Sequence, residues 1–149
     1  TCALPISSLL DMRFLAGNRN IFLRLYNLIQ NELVPELRSE FTEWLKKQYE
    51  QRKNQLGDAS AMIEPHLKDG LGALRDYHYI RWLARVHFAL SDLDDLVKEG
   101  LLSHPEYEAL QAHLDFLFLV RCHLHLLTGR RTDRLHFELQ PDLALKLGF

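Results

Sequence analysis

Charged residues gather around two glycines where the spacing of larger side chains predicts the start of a helix. Leu74, His78 and Trp82 recur at four-residue steps, which is typical of a helix running from about residue 72 to 85. The first N–H groups of a helix lack partners and carry about half a positive charge, so a helix start with nearby cations can bind phosphate. The candidate residues for binding a phosphate or a carboxylate are Lys68, Gly70, Gly72, Arg75 and Asp76.

The same residue types also fit a purely structural role. In that interpretation the glycines permit a tight turn, and Arg75 and Asp76 form a buried ion pair that fixes the helix start. The preceding stretch, residues 57–71, shows no periodicity and is predicted to be a loop. A loop of this length in a compact domain is usually functional or mobile.

A second group of basic residues follows the longest apolar helix. Guanidinium groups clustered at one helix end suit bidentate contacts to phosphate, and they equally suit a buried network with a carboxylate. Both interpretations remain open at this stage. The secondary candidates are Arg121, His125, Arg130, Arg131, Asp133 and Arg134.

Patterns that would identify catalysis or a metal site are not found. The chain contains neither His-Glu-x-x-His nor paired Cys-x-x-Cys, and Cys122, His123 and His125 do not have the spacing of metal ligands. No P-loop follows Gly70 and Gly72, and no serine or cysteine stands beside a base on a sharp turn. The sequence therefore predicts no metal ligands and no catalytic residues.

Helical periodicity recurs along the whole chain, and no alternating strand pattern interrupts it. The pattern predicts an all-α bundle of about five to six helices forming a single domain over residues 1–149. The helix after the capping box Ser103-His104-Pro105-Glu106 is apolar nearly all round, so it is predicted to be the central, covered helix with Leu114 and Phe118 buried. Lys46, Lys47, Glu50, Arg52 and Lys53 are predicted to form a solvent-facing side of an earlier helix. Ser7 or Ser8 is predicted to cap a first helix that Gly17 ends, and Asn18 a second helix that runs to Pro35, where a third begins and continues to Leu56. Ser91 is predicted to cap a short acidic segment that Gly100 ends, Gly129 to end the helix after the capping box, and a last helix to be interrupted or to restart near Pro141.

Composition narrows the class of protein. The chain has 149 residues, 47% hydrophobic and 26% charged, which excludes disorder and fits one folded core. A net charge of −2 argues against nucleic acid as the main partner. Cys2 and Cys122 do not make a disulfide framework, and neither a leader nor a membrane-length apolar run occurs, so a cytoplasmic location is expected. The abrupt ends suggest a domain excised from a longer chain.

Three segments together resemble the helical region of the bifunctional uridylyltransferase/uridylyl-removing enzymes that modify the signal protein PII. The segments are Leu9 to Gly17, Glu64 to Asp76, and Arg121 to Phe149. The family commonly has Gly-Pro-Gly-Gly-Leu-Arg-Asp where this chain has Gly-Leu-Gly-Ala-Leu-Arg-Asp at 70–76. A similar glycine-rich segment recurs in the glutamine synthetase adenylyltransferases, and the Arg121 to Phe149 run favours the uridylyltransferases.

The resemblance implies a fold of the nucleotidyltransferase substrate-binding-domain type that lies between a nucleotidyltransferase domain and a histidine-aspartate hydrolase domain. It implies that this region packs beside the nucleotidyltransferase domain and helps to form the site for nucleotide and a PII-like partner. Magnesium and UTP are implied for the full-length parent, and this chain alone is predicted to be inactive. The alternative is a non-catalytic interaction or spacer bundle in a related nucleotidyltransferase.

Overall fold

The computed structural model describes residues 3–56, 63–90 and 92–149, and within them the fold is all-α, as predicted. No strand occurs in these ranges, although His66 and Arg134 form an isolated antiparallel bridge. The helices are α1 (Ala3–Leu10), α2 (Arg19–Leu28), α3 (Val34–Leu56), α4 (Leu74–Phe88), α5 (Asp94–Lys98), α6 (His104–Thr128) and α7 (Gln140–Leu147), with a π-helical segment at Ile29–Leu33 and a 3₁₀ turn at Phe137–Leu139.

Two predicted helix boundaries near the N-terminus were wrong. Ser7 and Ser8, predicted to cap a helix that Gly17 ends, instead lie inside α1, which ends at Leu10. Tertiary packing decides this register, because Ile6 and Leu10 are buried in the main core. The prediction that Gly17 and Asn18 separate two helices is confirmed, since Asn18 Oδ1 accepts the Asn20 N–H at 2.9 Å as the N-cap of α2.

The predicted break at Pro35 is absent. Helices α2 and α3 run on through the π-helical segment, in which the Val34 N–H bonds to the Ile29 carbonyl. Proline has no N–H and its ring crowds the preceding turn, and a π-type widening of that turn accommodates both effects. The result is one helical rod, roughly 55 Å long at about 1.5 Å per residue.

The core does not centre on α6, contrary to the prediction. The largest cluster lies between α1, α3 and α4, where Phe41, Leu45 and Trp82 are buried. Helix α6 contributes one buried face through Val120 and Leu124, which pack against Leu67 and Leu143. Smaller clusters therefore join α6 to its neighbours without covering it.

The exposure of individual residues also shows that α6 is buried on one face only. Leu114 is buried, as predicted, whereas Phe118 is exposed, so that prediction was wrong. Phe116, Leu119 and Leu126 are exposed as well. An apolar helix is covered all round only when neighbours surround it, and in the described part of the chain α6 has neighbours on one side.

The ends of α6 and the later helices follow the sequence closely. The capping box of α6 forms as predicted, with the Ser103 N–H bonded to Glu106 Oε2 at 2.8 Å. Gly129 terminates α6 with a φ of 65°, and α7 restarts at the predicted position with Pro141 in its first turn. Ser91, predicted to cap the acidic helix, lies outside the described residues.

Candidate functional site

The loop before α4 is attached to the segment that follows α6. The Leu67 N–H donates to the Asp133 carbonyl at 2.7 Å, and the Leu135 N–H donates to the Pro65 carbonyl at 2.9 Å. We call this contact between residues 65–67 and 133–135 the clasp. Residues 63–73 are non-helical, which confirms the predicted loop over its described part. The clasp brings both predicted groups of site residues to the same side of the fold.

The backbone N–H groups at the start of α4 are already paired, which contradicts the expectation that glycine leaves them bare. The Arg75 N–H bonds to the Lys68 carbonyl at 2.8 Å, and the Leu74 N–H bonds to the Leu67 carbonyl at 3.3 Å. The Gly72 N–H donates to Asp76 Oδ2 at 2.7 Å. The loop thus folds back over the helix start and occupies the positions where an anion would otherwise bind.

Both glycines are required by the shape of this turn. Gly72 has a φ of 74°, in the left-handed region that other residues rarely adopt. At Gly70 a Cβ atom would lie 2.6 Å from the His66 carbonyl oxygen, too close for any side chain. The structural interpretation of the glycines is therefore correct for the backbone, and their assignment to nucleotide binding stays a prediction.

The ion pairs at the helix start differ from the expected ones. Arg75 does not pair with Asp76, because consecutive residues of a helix point in different directions. Arg75 Nε donates to Asp69 Oδ1 at 2.9 Å, and Asp76 pairs with Arg52 of α3. Arg52 Nη1 also reaches the Asp69 carbonyl at 3.4 Å. Arg75 therefore holds the loop through the Asp69 carboxylate. Arg52 holds it through the Asp69 carbonyl and through Asp76, whose carboxylate accepts the Gly72 N–H.

Arg52 was missed by the sequence analysis, which placed it on a solvent-facing side of α3. Its side chain is only 11% exposed, and its guanidinium lies 5.2 Å from the centre of the Tyr79 ring. The spacing does contain a signal, since Arg52 follows the buried Leu45 by seven residues and precedes Leu56 by four. A charged residue in phase with an apolar stripe indicates a buried partner on another element.

A polar pocket of about 500 Å³ lies between α3, α4 and the loop. Of the predicted residues, Arg75 lines this pocket, whereas Gly70 and Gly72 line a separate cavity of about 130 Å³. Asp76 borders a third, mainly apolar groove. The lining of the polar pocket is Ser7, Trp44, Gln48, Gln51, Arg52, Gln55, Leu56, Asp69, Arg75, Tyr79 and Trp82.

Lys68 differs from the other cations of the loop. Its side chain is half-buried, and no carboxylate within the described ranges forms an ion pair with its ammonium group. Its backbone carbonyl accepts the Arg75 N–H, so the backbone position is fixed while the side chain keeps its charge available. Lys68 is thus the loop cation best placed to meet an incoming anion.

The second predicted group divides into paired and unpaired residues. Asp133 Oδ1 lies 2.6 Å from Arg121 Nε and 3.4 Å from His125 Nε2, a compact structural network. Arg134 is 3.8 Å from a carboxylate oxygen of Glu64. The two remaining arginines, Arg130 and Arg131, are exposed and take part in no ion pair among the residues that the structure describes.

Two carboxylates near the clasp have pKa values below their ordinary range. For Glu64, the hydrogen bond from the Phe137 N–H is the largest cause and lowers the pKa; burial raises it, and His136 and Arg134 lower it again. For Asp133, burial raises the pKa, but the hydrogen bonds and charges of Arg121 and His125 together lower it by more than burial raises it. Both groups therefore favour the folded state when ionised.

This gives a stability prediction for acid pH. A carboxyl group whose pKa is lowered on folding stabilises the protein above its unfolded pKa, and that contribution disappears as pH falls through the folded value. The ordinary values are 4.5 for Glu64 and 3.8 for Asp133, so we expect the free energy of unfolding to fall below about pH 4.5. Urea unfolding at pH 7, 5, 4 and 3 measures this.

Substitution of Glu64 and Asp133 shows how much of the stability lost at acid pH is due to these two carboxyl groups. Glu64→Gln combined with Asp133→Asn should weaken the protein at pH 7 and flatten the decline below pH 4.5. Glu138→Gln, at an exposed residue of the adjacent 3₁₀ turn, serves as the control and should keep the wild-type profile. An unchanged profile in the double variant would show that the clasp carboxylates do not set the acid sensitivity.

One acidic group lies apart from the clasp. In the described ranges, Asp92, Asp94 and Asp95 are the one set of possible metal ligands whose atoms approach within 4.8 Å. The Lys98 ammonium lies 2.9 Å from Asp94 and 2.7 Å from Asp95. Lys98 is thus already paired with two of the three carboxylates, and the geometry lends no support to a metal site here.

None of the described helices is both long enough and apolar enough to cross a lipid bilayer.

Comparison with known proteins identifies the family. A family profile described as GlnD PII-uridylyltransferase matches residues 40–149. Proteins named bifunctional uridylyltransferase/uridylyl-removing enzyme are 36% identical in Bradyrhizobium diazoefficiens, 34% in Bradyrhizobium sp. (strain BTAi1) and 36% in Azospirillum brasilense, each over 96% of this chain. The chain spans 15% of the length of these relatives, and no solved structure matches it. The chain therefore belongs to the PII-uridylyltransferase family.

Proposed function

We propose that this chain is the helical region of a PII-type uridylyltransferase, that it packs beside a nucleotidyltransferase domain, and that it helps to form the site for nucleotide and PII. Family membership and the ordered loop before α4 support the proposal. The observation that carries it is a difference between two cations, one in that loop and one in the first turn of α4. Arg75 is neutralised by Asp69, whereas Lys68 has no carboxylate partner in the described ranges.

In this proposal Lys68 supplies a positive charge to a phosphate group. A lysine ammonium on a flexible stem can follow a phosphate over a few ångströms, and it needs no bidentate geometry. Arg52 and Arg75 act as positioning residues, because each fixes the loop through a carboxylate. Arg130 and Arg131, in the turn between α6 and the clasp, are further exposed cations available to an anionic partner.

The proposal assigns the chemistry of transfer to the rest of the parent protein. We infer that magnesium and UTP are held mainly by the nucleotidyltransferase domain, since this chain contains no recognisable carboxylate set for them. By itself the chain is expected to catalyse neither uridylyl transfer nor uridylyl removal. The residues that we assign to the site bind and orient the substrate, and none of them is assigned a bond-making role.

The test uses Lys68→Ala in the full-length parent. We expect a lower rate of PII uridylylation at limiting UTP and an unchanged thermal midpoint, because the side chain makes no ion pair that its removal would break in the described structure. Loss of a charge-assisted contact worth about 1.5–3 kcal/mol would lower kcat/KM by about 10- to 150-fold. Initial rates at several UTP concentrations measure the effect.

Lys47→Ala is the matched control, since Lys47 is an exposed lysine of α3 outside every pocket described above. It should keep both the wild-type rate and the wild-type midpoint. If Lys68→Ala behaves in the same way, the loop does not contact phosphate.

A second candidate function is a spacer or interaction bundle without a nucleotide contact. The observation in its favour is that the N–H groups at the start of α4 are bonded within the chain, where Arg75 of α4 and Arg52 of α3 also form ion pairs. This alternative predicts that Arg130→Ala with Arg131→Ala, as well as Lys68→Ala, leaves the UTP dependence of uridylylation unchanged. The family match favours a uridylyltransferase over a glutamine synthetase adenylyltransferase as the parent.

A further inference from the structure

One face of α2 is apolar and exposed. Ile21, Leu25 and Leu28 follow one another at four- and three-residue steps, so they lie on one side of the helix. Ile21 is 65% exposed and Leu25 is 48% exposed, and no residue of α2 is buried. Phe14 and Leu15, in the turn before α2, are exposed as well. We call these five residues the α2 patch.

Three residues of the α2 patch line an open pocket. Phe14, Leu15 and Ile21 contribute to a pocket of about 390 Å³ between the turn and the first half of α2. The Phe14 ring packs on Phe22, with ring centroids 5.6 Å apart, so the shape of this pocket is fixed by aromatic contact. A contiguous apolar patch with a preformed hollow is typical of a surface that receives another folded surface.

The border of the α2 patch is basic. Arg13 lines the same pocket as Phe14 and Leu15, Arg24 lies beside the apolar stripe on the helix surface, and α2 contains no acidic residue. Neither arginine forms an ion pair within the described part of the chain. A surface that complements this face would combine an apolar centre with acidic residues at its margin.

We propose that the α2 patch is the face on which another folded part of the parent polypeptide packs, through an apolar surface with an acidic margin. This inference rests on the proposed function, because it requires a parent longer than this chain. The chain spans 15% of the length of its relatives, so a large polypeptide is available to cover the patch. The patch also includes part of the segment from Leu9 to Gly17 that carries the family resemblance, and the phosphate-binding proposal makes no use of that segment.

A membrane surface is the rival occupant, because a basic amphipathic helix can lie on anionic lipid. The concave shape argues against it. A helix that lies in a bilayer presents a protruding apolar ridge, whereas a hollow accepts a protruding side chain from a folded partner. The geometry therefore favours protein over lipid.

The test measures access to the patch in the full-length parent. Leu25→Cys places a thiol within the patch, and Asn27→Cys places one on the same helix but outside the apolar stripe, each in a Cys122→Ser background. Maleimide alkylation is followed peptide by peptide by mass spectrometry. We expect the thiol from Leu25→Cys to react at least about tenfold more slowly than the thiol from Asn27→Cys, because it reacts only when the interface opens.

Further measurements complete the test. In urea both thiols should react at similar rates, and Arg13→Glu with Arg24→Glu should accelerate reaction of the Leu25→Cys thiol in the folded parent. Equal rates in the folded parent would overturn the proposal, as would protection that needs phosphatidylglycerol vesicles or that grows with protein concentration. Protection of the Leu25→Cys thiol does not depend on Lys68, so the docking face and the phosphate contact can fail independently.

Discussion

We expect Leu124→Ala to lower the free energy of unfolding of this chain by about 2–5 kcal/mol, the usual cost of truncating a buried leucine. Leu124 is 0% exposed and packs with Val120, Leu67 and Leu143. This small cluster joins α6 to the loop before α4 and to α7, so the cavity would lie directly beneath the clasp. Urea unfolding followed by circular dichroism measures the change.

Leu126→Ala is the control for this variant, because it makes the same truncation two residues further along α6. Leu126 is 77% exposed, and we expect a change within about 0.5 kcal/mol. Equal losses in the two variants would show that α6 is covered on both faces, as the sequence pattern alone predicted, and would contradict its one-sided packing.

The second large loss of stability is expected when Arg52 is replaced. Arg52→Ala removes the partner of Asp76, and breaking a buried ion pair costs about 3–5 kcal/mol because a carboxylate is left without compensation. Asp76 is partly exposed and keeps its hydrogen bond from the Gly72 N–H, so we expect a loss near the lower end, about 3 kcal/mol. The aromatic contact with Tyr79 is lost as well.

The neighbouring Lys53→Ala is the control, because Lys53 is an exposed residue next to Arg52 on α3. It should leave the unfolding midpoint unchanged. A double variant, Arg52→Ala with Asp76→Asn, should recover part of the stability by removing the orphaned charge. If the double variant is no more stable than Arg52→Ala, the loss comes from packing and the ion pair contributes little.

The sequence predicted those features that local chemistry determines. The capping box at Ser103, the N-cap at Asn18 and the helix end at Gly129 are each decided within a few residues, and all three are confirmed. The glycine turn before α4 was also located correctly, since Gly72 adopts the positive φ that only glycine accepts readily.

Features that depend on distant partners were not predictable in the same way. The pairing of Arg75 with Asp69 and of Asp76 with Arg52 requires knowledge of how α3 lies against α4, which no local pattern contains. The N–H groups of α4 were expected to be free, yet carbonyls of the folded-back loop accept them. The composition of α6 indicated how apolar it is and could not indicate which side has neighbours.

The clasp also has a consequence for the order in which this protein is completed on the ribosome. Pro65 and Leu67 bond to residues that are synthesised much later, Leu135 and Asp133. At roughly 5–20 residues per second, the partners emerge some 3–14 seconds after the loop itself. Helices α1 to α4 can pack during that interval, whereas the turn that carries Lys68 acquires its final shape only when the chain beyond α6 has left the exit tunnel. A nascent chain stalled before residue 133 would therefore hold a folded α3–α4 core in which the loop before α4 is still unfinished.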